Sequence, residues 1–254
     1  MIRFYLFAIL IFPIHSESRI FDMNDLGFSA YFLANYGTSA IGKSAFESDS
    51  ASTTTYDATV ATYTGGEFGF VFTNSQANIR LGFEIFSPAK LETVTAKNAS
   101  SQTLYTFDSA INGYAPMLGL ELNITRLPNS RWFLLFSGGS STITIKNAYT
   151  MATQGATSYP SVAASHDVIM NSKAATAYRA ALAYERHFSD TSTWIAELGY
   201  RSLVFTEFTY DEAVTTFQGA KAAGDVVYLA DGTTKRTMDF TNYYLMLGFR
   251  IYTY

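Results

Sequence analysis

Residues 242–254 read NYYLMLGFRIYTY, and the two faces of this stretch are chemically opposite. Tyr243, Leu245, Leu247, Phe249 and Ile251 fall on one side of an extended chain. Asn242, Tyr244, Met246, Gly248 and Arg250 fall on the other. Side chains of a β-strand alternate with a period of two, so the stretch predicts a strand with one apolar face. Strict alternation over about ten residues, closed by an aromatic, is the pattern of a strand that crosses a bilayer.

The same pattern recurs upstream. Residues 26–36 place Phe28, Ala30, Phe32 and Ala34 on one face. Residues 66–73 alternate Phe68, Phe70 and Phe72 with Glu67, Gly69 and Val71, and after a turn Ile79, Leu81, Phe83 and Ile85 oppose Arg80, Gly82 and Glu84. Residues 114–124 set Leu118, Leu120, Leu122 and Ile124 against Gly119, Glu121 and Asn123. Residues 131–139 are apolar on both faces, which leaves their orientation open. Residues 175–188 set Tyr178, Ala180, Leu182 and Tyr184 against Arg179, Ala181, Ala183 and Glu185, but their alanine content suits a helix as well as a strand. Ala196, Leu198 and Tyr200 then oppose Glu197, Gly199 and Arg201. The predicted fold is all-β: an eight-stranded antiparallel up-and-down transmembrane β-barrel.

The connections alternate in length. Those near 74–78, 125–130 and 189–193 are short, and those near 37–65, 87–113, 140–174 and 206–238 are long. Outer-membrane barrels carry short periplasmic turns and long extracellular loops. An even strand count puts both chain ends at the short-turn end. Within the long loops, 91–97 with 101–107 and 226–229 with 233–237 read as hairpins, so the wall is expected to project beyond the membrane.

The N-terminus reads as a signal peptide over residues 1–18, with Arg3 ahead of a short apolar run broken by Pro13 and with Ser16 and Ser18 offering a cleavage site. Residues 19–254 are then a single barrel domain. The chain has no cysteine, which excludes thiol chemistry and disulfides. Its net charge of −4 and lack of a basic run give no sign of nucleic-acid binding.

Alternation alone does not say which face meets lipid, because a soluble barrel has the same period with its faces inverted. Every lysine (Lys43, Lys90, Lys97, Lys146, Lys173, Lys221 and Lys235) falls in a long loop, whereas a soluble barrel would carry lysines along its strands. The polar faces hold small residues and charges of both signs: Glu67, Glu84, Glu121, Glu185 and Glu197 against Arg80, Arg179, Arg201 and Arg250. These nine are expected to form a lumen charge network, since an unpaired charge in a confined interior is expensive. Trp132 and Trp194 each open a strand just after a short turn, as an aromatic girdle at one interface requires.

In this layout the chain resembles the small outer-membrane barrels of Gram-negative bacteria, of the OmpA, OmpX and OmpW type. The resemblance covers residues 26–254 and rests on architecture, not on a family motif. It implies a place in the cell outer membrane, with outer-membrane lipid, lipopolysaccharide and the barrel-assembly machinery as partners. The tail departs from that group. Tyr254 shares parity with Arg250 instead of Phe249, so either a bulge intervenes or the insertion signal is atypical.

Candidate chemistry is sparse. Ser165-His166-Asp167 has the residue types of a triad, but sequence neighbours rarely converge on one reacting atom. His187 stands near a strand end, and the two histidines lack metal-ligand spacing. Asp49, Asp57, Asp211, Glu212, Asp225 and Asp231 are scattered loop acids, and Asn98-Ala99-Ser100 is a sequon read as chance. No catalytic, cofactor or metal residues are therefore assigned, and no extracellular partner can be named. Eight strands enclose an interior that side chains just fill, so a non-enzymatic surface barrel with structural, adhesive or interaction roles is expected. A narrow channel for small or apolar solutes is the alternative, and a lipid-modifying enzyme a third reading.

Overall fold

The computed structural model describes residues 27–38, 55–56, 62–73, 77–88, 93–229 and 231–253. The expected signal peptide, Lys43, Lys90, Asp49, Asp57 and Tyr254 lie outside them. Eight strands form the barrel: β1 (Gly27–Thr38), β2 (Thr62–Thr73), β3 (Ala77–Pro88), β4 (Thr103–Leu127), β5 (Ser130–Met151), β6 (Ala175–His187), β7 (Ser192–Phe205) and β8 (Asn242–Thr253). Each pairs antiparallel with its sequence neighbours. The ring closes where β1 pairs with β8, from Phe28↔Thr253 to Gly37↔Tyr244, without a shift of register. No bulge therefore intervenes before Thr253.

Phe32, Phe68, Phe70, Phe72, Leu81, Leu118, Leu120, Phe136, Leu182, Leu198, Leu247 and Phe249 are all exposed on the outside of the ring. A continuous apolar exterior of this extent is not a water-facing surface. About ten residues per strand, rising about 3.3 Å each and tilted about 40°, give a band roughly 25 Å tall, the height of a barrel's lipid belt.

The residues left open by their two-sided apolarity now have a direction. Arg131, Phe133, Leu135 and Ser137 point inward, while Trp132, Leu134 and Phe136 point out. The alanine-rich segment is a strand, Ala175–His187. Pairing with β5 on one side and β7 on the other satisfies its backbone, and that outweighs the helix preference of alanine.

Two of the long connections are largely strand, which corrects the expected boundaries. β4 begins at Thr103 and β5 continues to Met151, and the two remain paired above the lipid belt. Val94–Lys97 and Thr55–Tyr56 extend this upper sheet on one side, and Ser165–Ser172 and Phe208–Tyr210 extend it on the other. The expected hairpin at 226–237 is reduced to the single bridge Tyr228↔Lys235 with its flanking hydrogen bonds.

Along β4 the sense of the alternation reverses. Below Tyr114 the outward residues are apolar and the inward ones include Glu121. Above it, Asp108 and Asn112 face out while Tyr105, Phe107 and Ile111 are buried. β5 does the same, with Lys146 and Thr150 outside and Ile143, Ile145 and Tyr149 inside. The reversal follows the solvent: lipid demands an apolar exterior, and water demands a polar one over an apolar core.

Candidate functional site: the filled lumen

The alternation that sends Phe and Leu to lipid sends every second residue into the barrel. Among the described residues ten charged side chains meet there, Glu67, Arg80, Glu84, Glu121, Arg131, Arg179, Glu185, Glu197, Arg201 and Arg250, none more than 4 % exposed. All nine residues named from the sequence are among them. Arg131 is the one the sequence reading missed. Its signal was available, because a lipid-facing Trp132 forces its neighbour inward. With it, five glutamates face five arginines.

The charges lie in three linked tiers. Nearest the chain termini, Arg131 bridges Glu121 at 2.8 Å and Glu185 at 2.6 Å. Arg250 bridges the same two carboxylates at 2.6 Å and 3.2 Å. Asn78 donates to Glu121 at 3.0 Å, and Thr193 and Tyr252 donate to Glu185 at 2.5 Å and 2.7 Å. Two cations and two anions thus alternate in a closed ring, and neutral donors take up the remaining carboxylate lone pairs.

In the middle tier Glu67 accepts from Arg80 at 2.8 Å, Arg179 at 2.5 Å and Tyr31 at 2.5 Å. Arg80 also pairs with Glu197, and it lies 4.3 Å from the Tyr31 ring centroid. Gly82 makes room for this arrangement, because a Cβ there would come within 2.4 Å of the Tyr31 hydroxyl and 2.5 Å of Glu67. In the upper tier Glu84 receives Arg201 at 3.1 Å and Asn35 at 2.7 Å. Longer contacts of 3.9 Å, Arg80–Glu121 and Arg179–Glu84, join the tiers.

An aromatic layer covers the upper tier. The Arg201 guanidinium lies 4.4 Å from the Tyr63 ring and 4.7 Å from that of Phe86. Phe86 packs on Phe240 at 5.7 Å, and Phe240 on Phe205 at 5.6 Å. Along the axis the lumen therefore passes from an ion-pair lattice to an apolar lid.

On the outside, Trp132 and Trp194 flank Tyr184 at 4.8 Å and 5.2 Å at the short-turn end. At the other end Tyr36, Tyr114, Tyr178, Tyr200 and Tyr243 are exposed, a second aromatic ring missed in the sequence. Tyr36 and Tyr200 come just before a long connection and Tyr114, Tyr178 and Tyr243 just after one, which is where an upper girdle belongs. Apolar between two aromatic rings and ionic within, the structure has one physical setting. This chain is an integral β-barrel of the outer-membrane type.

No protein-family model matches the chain, and no curated protein matches it by sequence. Among solved structures it is similar to the outer membrane protein OprG of Pseudomonas aeruginosa, at 12% identity over 91% of this chain and 97% of that one, with a TM-score of 0.47. A major outer membrane protein of Thermus thermophilus is similar at 12% identity, 88% and 99% coverage and a TM-score of 0.48. Ail, the attachment invasion locus protein of Yersinia pestis, is similar at 12% identity, 89% and 99% coverage and a TM-score of 0.40.

The remaining sequence candidates do not converge. His166 stacks on Tyr149 at 5.2 Å with Nδ1 at the Ala163 carbonyl, and burial lowers its pKa. Asp167 turns to the opposite face of the strand and pairs with Lys146 at 2.7 Å. His187 closes β6 at the short-turn end. Asp211 accepts from Asn171 and Asp225 from the Ala222 amide, while Glu212 is exposed. Asp231 accepts from the Thr234 hydroxyl and from the Thr234 and Thr233 amides, which together hold its carboxyl at about 2. Asn98 caps its own hairpin turn through the Ser100 and Gln102 amides.

Proposed function

We propose that the barrel is a non-enzymatic, non-conducting anchor that displays its upper sheet at the cell surface, for a structural or adhesive interaction. The observation that carries this reading is the double closure of the lumen. An ion would have to displace a network of buried ion pairs and then cross the Tyr63–Phe86–Phe240–Phe205 layer. Apolar constrictions of this kind exclude ions by dewetting. The upper sheet supports the display role. It holds its own core, with Phe217 stacked on Tyr105 at 4.4 Å and seated on Tyr149 and Tyr159, so it presents a rigid polar face.

The deciding experiment is single-channel recording of the refolded protein in a planar bilayer. No steady open state is expected. A stable conductance of nanosiemens size would sink the closed-lumen reading in favour of a channel.

A further inference from the structure

The 214–221 hairpin covers the upper sheet without joining it. Its strands, Val214–Thr216 and Gly219–Lys221, pair only with each other. At its tip the Gln218 side-chain amide donates to the Leu229 carbonyl at 2.9 Å, and Phe217 inserts into the aromatic cluster below. One ring that Phe217 meets there is titratable. The His166 imidazole packs against Phe217 at 6.2 Å and stacks on Tyr149 at 5.2 Å, 13° from parallel.

The imidazole is seated in its neutral form. Nδ1 lies 3.2 Å from the Ala163 carbonyl, which can only accept, so Nδ1 carries the proton. Nε2 then holds a lone pair, sealed from solvent and without a hydrogen-bond partner, in a small pocket shared with Val168, Met170 and Phe217. The Thr216 hydroxyl lines the same pocket but is committed to the turn, donating to the Gly219 carbonyl at 3.1 Å and accepting from the Gln218 backbone amide at 3.2 Å. Protonation would put a second N–H and a full charge at Nε2, and a buried charge without a partner is expensive.

No facing group compensates that charge. Tyr149 on β5 and Tyr210 on the 208–210 strand present uncharged phenols, and Arg236 and Asp225 act on Tyr210 with opposite signs. Lys221 stands at the base of the hairpin, across from Val214, and Glu212 precedes it on the exposed surface. Asp167 points to the opposite face and is paired with Lys146. Burial accordingly holds the imidazole below its ordinary pKa, against the weaker upward pull of the Ala163 bond and of Asp167.

We infer that His166 is an acid-sensitive latch: its neutral ring seats Phe217 and the hairpin, and its protonation releases them and uncovers the aromatic cluster. Above pH 6.5 the ring is neutral in both states and the closed form has its full stability. As the pH falls through 6.5, the released ring takes up a proton that the seated ring does not. Between about pH 7.5 and 5.5 the open fraction is expected to rise about tenfold.

The chain has no cysteine, so Met170→Cys places a single thiol in the pocket under the hairpin. Its rate of reaction with a thiol reagent is measured on the refolded protein in detergent at the two pH values. Dividing by the rate for Thr150→Cys, on the exposed face of β5, removes the ionisation of the thiol itself. The ratio is expected to rise about tenfold on acidification when His166 is present. It should stay constant in His166→Phe, whose ring keeps the stack and cannot titrate. No rise with His166 present, or an equal rise without it, overturns the latch. If His166→Phe fails to seat the hairpin, its thiol reacts freely at both pH values, and an NMR titration of the His166 imidazole in the unmodified chain decides instead. A pKa below the ordinary value is expected, and one at or above it overturns the latch.

Discussion

Arg131 shows how much one side chain can carry in a dry interior. Like Arg250, it bridges both Glu121 and Glu185, and both carboxylates are fully buried. Removing one member of a buried ionic set leaves the others uncompensated, at a cost of about 3–5 kcal/mol. Arg131→Ala is therefore expected to lower the unfolding free energy by that amount, read as a fall in the urea midpoint of the refolded barrel, whereas Lys173→Ala, on an exposed lysine, should leave the midpoint unchanged. Equal midpoints for the two variants would mean that the lattice is not coupled. On the other face the sign of the rule reverses. Leu198 is 66 % exposed to lipid, and Leu198→Arg should cost about 2–4 kcal/mol near the midplane. The measurement is the fraction reaching the heat-modifiable form.

At the scale of the element, β4 and β5 are each one strand in two solvents. Their lower halves are held by the ring, and their upper halves by a sheet whose inner face is covered by the 214–221 hairpin through Phe217. The two halves should therefore be separable in stability. Phe217→Ala removes a ring buried to 8 % exposure and should cost the upper sheet about 3 kcal/mol. Amide hydrogen exchange should then accelerate over 103–113 and 143–151 while the 114–124 segment and the heat shift stay as in wild type. Loss of barrel assembly in this variant would show instead that the upper sheet and the ring fold as one unit.

Across the whole molecule, the position of the termini orients everything else. β1 begins and β8 ends at the same end as the short turns, so the long connections and the upper sheet share the other. Cysteines placed at Lys97, Ser161 and Asp231 should react with a membrane-impermeant reagent on intact cells, and one at Asp190 should not. The reverse pattern would mean an inverted barrel, with the upper sheet in the periplasm.

The alternation of residues such as Phe68, Phe70 and Phe72 with Glu67 and Val71 was enough to read the strand count and the lipid face. Period two is a local property, and a lipid-facing strand writes it without help from the rest of the chain. Three things needed the tertiary structure. Where β4 and β5 leave the membrane is invisible to a period, because at Tyr114 the alternation continues and only its sense inverts. The direction of 131–139, apolar on both faces, depends on the register with β4 and β6, since Phe133 and Leu135 face the lumen while Leu134 and Phe136 face lipid. And which glutamate answers which arginine is set by long-range closure, as when Arg250 from the last strand meets Glu121 from the fourth. Pairing across a closed ring depends on shear and register, and those belong to the whole barrel and not to any strand in it.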